Sequence, residues 1–143
     1  MSTQKNETVL VSNVMMALER VPVIEQNVIL KEALEEMGRT NLGIVCIVDS
    51  NLNSKLLGIL TDGDIRRKLL NVQKPFSAFF VDDALDHAIR TPTTIRPSDT
   101  LVHAVDVMGR KRIWDLPVVD DKGLLVGLLH LHPAVQTLLG IGE

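Results

Sequence analysis

The chain has 143 residues, 45% of them apolar but only 3% aromatic, and a formal net charge of −3. That length suits one compact domain or two small ones, with a core of aliphatic side chains and methionine. The balance leaves no basic face of the kind nucleic acid requires, no apolar run long enough for a membrane span, and a start, MSTQKNETVL, too polar for a secretory signal.

In chain order, Val21 to Ile24 reads as a short extended piece and Asn27 as the N-cap of a helix that puts Leu30, Ala33, Leu34 and Met37 on one face. Gly43 to Val48 is a near-continuous apolar strand, of the kind buried on both faces. It contains the single cysteine, Cys46, as a small core residue in a reducing, cytoplasmic setting. The polar turn DSNLNSK returns the chain into Leu56 to Leu60, a hairpin. A short helix follows, with Ile65, Leu69 and Leu70 facing inward. Residues 71 to 92 join this half to the next and hold no low-complexity tract.

The same grammar then returns. Thr93 to Ile95 is extended, Ser98 is the N-cap, and Leu101, Ala104, Val105 and Met108 share a helix face. Asp115 to Val119, the turn DDKG and Leu124 to Leu129 form the second hairpin, and Ala134, Val135, Leu138 and Leu139 face inward from the closing helix. A shift of 71 residues pairs Met37-Gly38-Arg39 with Met108-Gly109-Arg110 and Val48-Asp49 with Val119-Asp120. After a two-residue difference in the turn, Gly58 pairs with Gly127. The chain is a tandem β-α-β-β-α repeat of α/β (α+β) class, with repeats at 8–72 and 73–143, the second including the linker 73–92. Neither repeat buries much alone, so the two are expected to pack about a pseudo-two-fold axis.

The stretch GILTDGDIRR, from Gly58 to Arg67, carries the most chemistry. A calcium loop needs six or more oxygen ligands over about twelve residues, and two aspartates followed at once by Ile65 and two arginines do not supply them. A carboxylate pair for acid–base work has no partner nucleophile here, and no nucleophile–base–orienter set exists elsewhere, so no catalytic residue is assigned. Two readings stay open. In one, Thr61 or Asp62 caps a helix and Asp64 occupies its first turn, where acids favour the macrodipole. In the other, the helix N-terminus receives a nucleotide phosphate with help from Thr61, and Asp64 accepts the ribose hydroxyls. An open site of that kind would leave Thr61 and Asp64 solvated without ligand. Arg66 and Arg67 are either solvated helix charges or a phosphate contact.

The second copy departs from this pattern. Its GLLHLHP places His130 at the threonine position and Pro133 at the aspartate position, so the ribose acceptor is lost. His130 and His132, two apart, make an incomplete set for zinc, and no metal is assigned. The plainer reading has His130 lining a residual pocket and His132 capping the helix. Trp114, before Asp115-Leu116-Pro117, either packs or walls a cleft and stacks on a base.

The tandem pattern, with PVVDD in the middle strand and Gly58, Thr61 and Asp64 at the second helix, resembles a pair of CBS domains, a Bateman module. GILTDGDIRR, GLLHLH and VSNVM are similar to the C-terminal CBS pair of bacterial arabinose-5-phosphate isomerases. The sugar-isomerase domain that precedes the pair in those enzymes is absent, so the chain is either a free-standing relative or an excised regulatory half. The resemblance implies a non-catalytic regulatory module that binds AMP, ATP or a related nucleotide in the cleft between repeats and signals to an enzymatic partner. A CMP-linked sugar acid is the alternative ligand, and a ligand-free dimerisation module the alternative function. By resemblance the nucleotide site comprises Thr61, Asp64, Asp62, Gly58, Ile24, Val45, Cys46, Arg66 and Arg67, with a degenerate second site at His130, Pro117 and His132. It also implies a homodimer, and the sequence has more apolar helical positions, including Met15, Met16, Val105 and Leu139, than a small monomer core readily hides.

Overall fold

The computed structural model describes residues 8–140. The chain forms two compact units that do not follow the order of the repeats. One is Val21–Pro92; the other joins the residues up to Arg20 to those from Thr93 onward.

In the Val21–Pro92 unit, β2 (Val23–Glu25) runs parallel to β3 (Ile44–Val48), which pairs antiparallel with β4 (Leu56–Thr61). Helix α1 (Leu30–Thr40) lies between β2 and β3 in sequence, and α2 (Asp62–Asn71) follows β4 without a break. The apolar spacing of α1 places Leu30, Ala33 and Met37 in a core with Ile24, Val45, Ile47, Leu60 and Ile65. Asn41 closes α1 in the left-handed conformation (φ 57°), which asparagine tolerates better than most residues.

The joining segment belongs to this unit. It contains a short helix, α3 (Phe76–Phe80), and a 3-10 turn at Ala84–His87. Phe79 and Ala84 are buried in the same core as Ile24 and Leu60. Asp82 accepts hydrogen bonds from Lys74 (2.8 Å) and pairs with His87 Nε2 (2.9 Å), and these two contacts hold its carboxyl below the usual carboxylate range. Ile59 and Ile89 exchange backbone hydrogen bonds of 3.0 and 2.8 Å, so the end of the segment lies along β4. Gly58 makes that approach possible, because a Cβ there would stand 2.8 Å from the Ile89 carbonyl oxygen.

The other unit repeats the plan with a strand borrowed from the beginning of the chain. Here β1 (Met16–Ala17) pairs antiparallel with β6 (Leu125–His130), which pairs with β5 (Asp115–Val119). Helix α4 (Leu101–Lys111) and helix α5 (Leu131–Leu139) complete it. Leu101, Ala104 and Met108 pack with Leu116, Val118, Leu129, Ala134 and, from the N-terminal segment, Val11. Gly127 has the role of Gly58: a Cβ there would meet the Met16 carbonyl oxygen at 2.7 Å.

Residues 73–92 lie in the compact unit that holds the first repeat, and the residues up to Arg20 in the unit with those from Thr93 onward, which gives β4 and β6 each a neighbour along the glycine-bearing edge. Other expectations are corrected. The N-caps are Ile29 and Thr100, not Asn27 and Ser98; Thr100 Oγ1 accepts from the His103 amide at 3.2 Å. Thr93 to Ile95 forms no strand beyond a single bridge from Ile95 to Val118. Leu70 and Leu139 point outward, 78% and 65% exposed, since each lies one residue past Leu69 or Leu138, which pack against the cores.

Candidate functional site

Helix α2 begins where β4 ends, and Thr61 belongs to both as the last strand residue and the N-cap. Its extended backbone (φ −113°, ψ 160°) aims the hydroxyl at the first turn. Thr61 Oγ1 accepts from the Asp64 amide at 3.1 Å and donates to Asp64 Oδ2 at 2.8 Å. Asp64 Oδ2 also accepts from the Thr61 amide at 3.2 Å, which completes a capping box with aspartate at its third position. The side chain of Asp64 is only 13% exposed, so the expectation that it is solvated without ligand does not hold.

Arg67 adds a third partner. Its Nη2 donates to Asp64 Oδ1 at 2.8 Å. The guanidinium lies over the first turn, with its nitrogens 3.4 and 3.5 Å from where a Cβ on Gly63 would stand. The Asp62 amide donates to the Gly43 carbonyl at 3.0 Å, and the Asp62 carboxylate covers Gly43, whose absent Cβ would be 2.9 Å from Oδ2. Among the first amides of the helix, Asp62 and Asp64 are therefore engaged, and Gly63 is the donor that neither bond takes up.

The structure thus gathers Thr61, Asp62, Asp64 and Arg67 at one strand end. Arg66 is exposed on the same helix, away from the capping box. Gly58 is enclosed by residues 88–89, and the side chains of Val45 and Cys46 are fully buried. Ile24 is a core residue that also borders a groove of about 360 Å3 beside β2. That groove is rimmed by Glu25, Glu32, Glu35 and Glu36 against one cation, Arg39, which is paired with Glu36, so its net negative charge disfavours a phosphate. The capping-box end of α2, with an arginine and an unused amide, is the better candidate for an anion.

The matching end of α5 is built differently. The Leu131 amide donates to the Trp114 carbonyl at 2.8 Å, the equivalent of the Asp62–Gly43 bond. His130 is the N-cap but makes no side-chain cap bond; its Nδ1 pairs with Asp115 Oδ1 at 2.8 Å across the β5–β6 hairpin. His132 is exposed and does not cap the helix, which corrects the sequence reading. Pro117 is buried in β5, and Trp114 is 69% exposed rather than packed. Among the described residues, no group of three or more His, Cys, Asp or Glu could hold a metal ion. Nor is any helix among them long and apolar enough to cross a membrane. Sequence reasoning missed the Asp64–Arg67 and Asp115–His130 pairs. The first was visible as an acid three residues before a base on a helix, the second only once the hairpin register was known.

The two units share one plan, a small sheet with a helix springing from a strand end. The CBS domain family matches residues 11–71 and 81–132, and the chain belongs to that family. Arabinose 5-phosphate isomerase KdsD of Escherichia coli is 32% identical over 128 residues, 88% of this chain and 36% of the relative. An uncharacterised protein of Helicobacter pylori is 33% identical over 118 residues, 81% of this chain and 33% of the relative. The chain spans about a third of the length of these curated relatives. Among solved structures, CBSX2 of Arabidopsis thaliana in complex with AMP superposes with a TM-score of 0.79 at 24% identity, covering 92% of this chain and 97% of that one. The CBS domain pair of MJ0100, in complex with 5′-methylthioadenosine and S-adenosyl-L-methionine, gives 0.73 at 23% identity, covering 92% and 97%.

Proposed function

We propose that this CBS pair binds an adenosine nucleotide at the start of α2 and passes its bound state to an enzymatic partner or domain. The observation that carries the reading is the meeting of Thr61, Asp64, Arg67 and the Gly63 amide at one helix N-terminus. It supplies an acceptor for ribose, a hydroxyl, a cation and a positive helix end for phosphate. Adenosine-containing ligands in CBSX2 and MJ0100 support the ligand class. The likeness to KdsD supports a sugar-phosphate isomerase as the partner. Melting curves with AMP, ATP and a CMP-linked sugar acid test the choice. A ligand at one hundred times its dissociation constant stabilises the fold by about 2.7 kcal/mol, a shift of several degrees. If none of the three at millimolar concentration moves the curve, the chain is a structural dimerisation module.

The second part of the reading is a homodimer. Leu70 and Leu139 occupy matching positions at the ends of α2 and α5 and are both exposed, as are Phe76 and Val81 of the joining segment. A single copy leaves these apolar side chains in water. Light scattering at high micromolar concentration is expected to give twice the 15.8 kDa of one chain; a monomer would rule the assembly out.

A further inference from the structure

We propose that Arg67 is a swinging gate on the nucleotide site, occupying Asp64 in the empty protein and moving to the ligand's phosphate when ribose takes its place. The inference rests on the reading of Asp64 as the ribose acceptor.

A carboxylate has about four lone-pair sites, two on each oxygen. Both sites of Asp64 Oδ2 are used within the capping box, by the Thr61 amide at 3.2 Å and the Thr61 hydroxyl at 2.8 Å. On Oδ1, Arg67 Nη2 takes one at 2.8 Å. One site is left, and a ribose that offers two neighbouring hydroxyls needs two. Of the three donors, those of Thr61 are fixed by the strand-to-helix junction. Arg67 is the mobile one: its side chain is 60% exposed and the pair with Asp64 is a surface ion pair, worth little on its own. It is the donor that yields.

Where the freed guanidinium goes follows from where it already lies. It rests over Gly63, beside the first-turn amide that has no partner among the capping bonds. A phosphate drawn to that amide meets the arginine within a rotation of its side chain, and the charge-assisted bond lost to Asp64 is replaced by one to the phosphate. A nucleoside without phosphate displaces Arg67 and offers nothing in exchange. Arg67 therefore sets a preference for phosphorylated over unphosphorylated adenosine, which a positioning role towards Asp64 would not produce.

Titration calorimetry of the full chain with AMP and with adenosine tests this. In Arg67→Ala, adenosine is expected to bind about two- to five-fold more tightly, because its competitor is gone. AMP is expected to bind about ten-fold more weakly, because its phosphate contact is lost. The ratio of the two affinities collapses, Arg67→Lys restores part of it, and Lys68→Ala on the same helix leaves it unchanged. If Arg67→Ala weakens both ligands by the same factor, Arg67 only positions Asp64 and the gate is wrong while the site stands. If the wild-type chain takes up neither ligand, the site reading fails, and the gate with it.

Discussion

Asp64 makes three hydrogen bonds before any ligand arrives, and this changes what its removal does. A solvated ribose acceptor would be lost at no expense to the fold. A capping-box aspartate is not, because the Thr61 amide and hydroxyl lose their acceptor with it. Asp64→Ala is expected to lower the stability of the unliganded protein by about 1 kcal/mol, and Thr61→Ala by a similar amount, read from urea denaturation. Binding separates the two. Asp64→Ala should weaken AMP about 10- to 150-fold, since the lost bonds involve a charge, whereas Thr61→Ala loses a neutral donor and costs about 0.5 to 1.5 kcal/mol. Stability losses without a binding loss from Asp64→Ala would leave the motif as a helix cap and nothing more.

At the scale of elements, the glycines show how the sheets are completed. Gly58 and Gly127 lie under the backbone of a neighbouring segment, so Gly58→Ala and Gly127→Ala force apart the Ile59–Ile89 bridge and the β1–β6 pair. A loss of about 1 to 3 kcal/mol is expected for each. Gly38 and Gly109, the repeat-matched glycines inside α1 and α4, have nothing within 4 Å of an added Cβ. Alanine there should stabilise by about 0.5 to 1 kcal/mol, as helix propensity alone dictates. Denaturation of the four variants checks the contrast in sign. These positions also mark how far the sequence could be read. The helices α1, α2, α4 and α5 were legible from their apolar period of 3.6, the hairpins from apolar runs on either side of a polar turn, and both because each element occurs twice. The short α3 and β1 were not, since five and two residues carry no period. Their placement is decided by Phe79 filling a core and by a glycine edge waiting for a partner, both long-range facts. At the candidate site, Thr61 and Asp64 were legible as a motif and the Asp64–Arg67 spacing was there to read, while the Asp115–His130 pair depended on a hairpin register no local spacing fixes.

The whole molecule is organised by nesting rather than succession. The Val21–Pro92 unit is continuous in sequence and sits between the two stretches that make the other unit. A fragment of residues 21–92 keeps Phe79, Ala84 and the Ile59–Ile89 bridge, and is expected to fold cooperatively on its own. A fragment cut at the repeat boundary, 8–72, loses all three and carries β1 without β6; circular dichroism should find it largely unfolded. Equal helicity and equal cooperativity in the two fragments would refute the nested partition.

Nesting also sets a timetable for a chain that leaves the ribosome N-terminus first. The inner unit is whole as soon as Pro92 has emerged, and can fold while synthesis continues. Val11 and β1 must wait: the partner of Met16 is Leu128, about 110 residues later. For several seconds, at ordinary rates of translation, β1 is an apolar strand with no edge to join. Its brevity, two residues of ladder, leaves little template for pairing with the wrong neighbour in that interval.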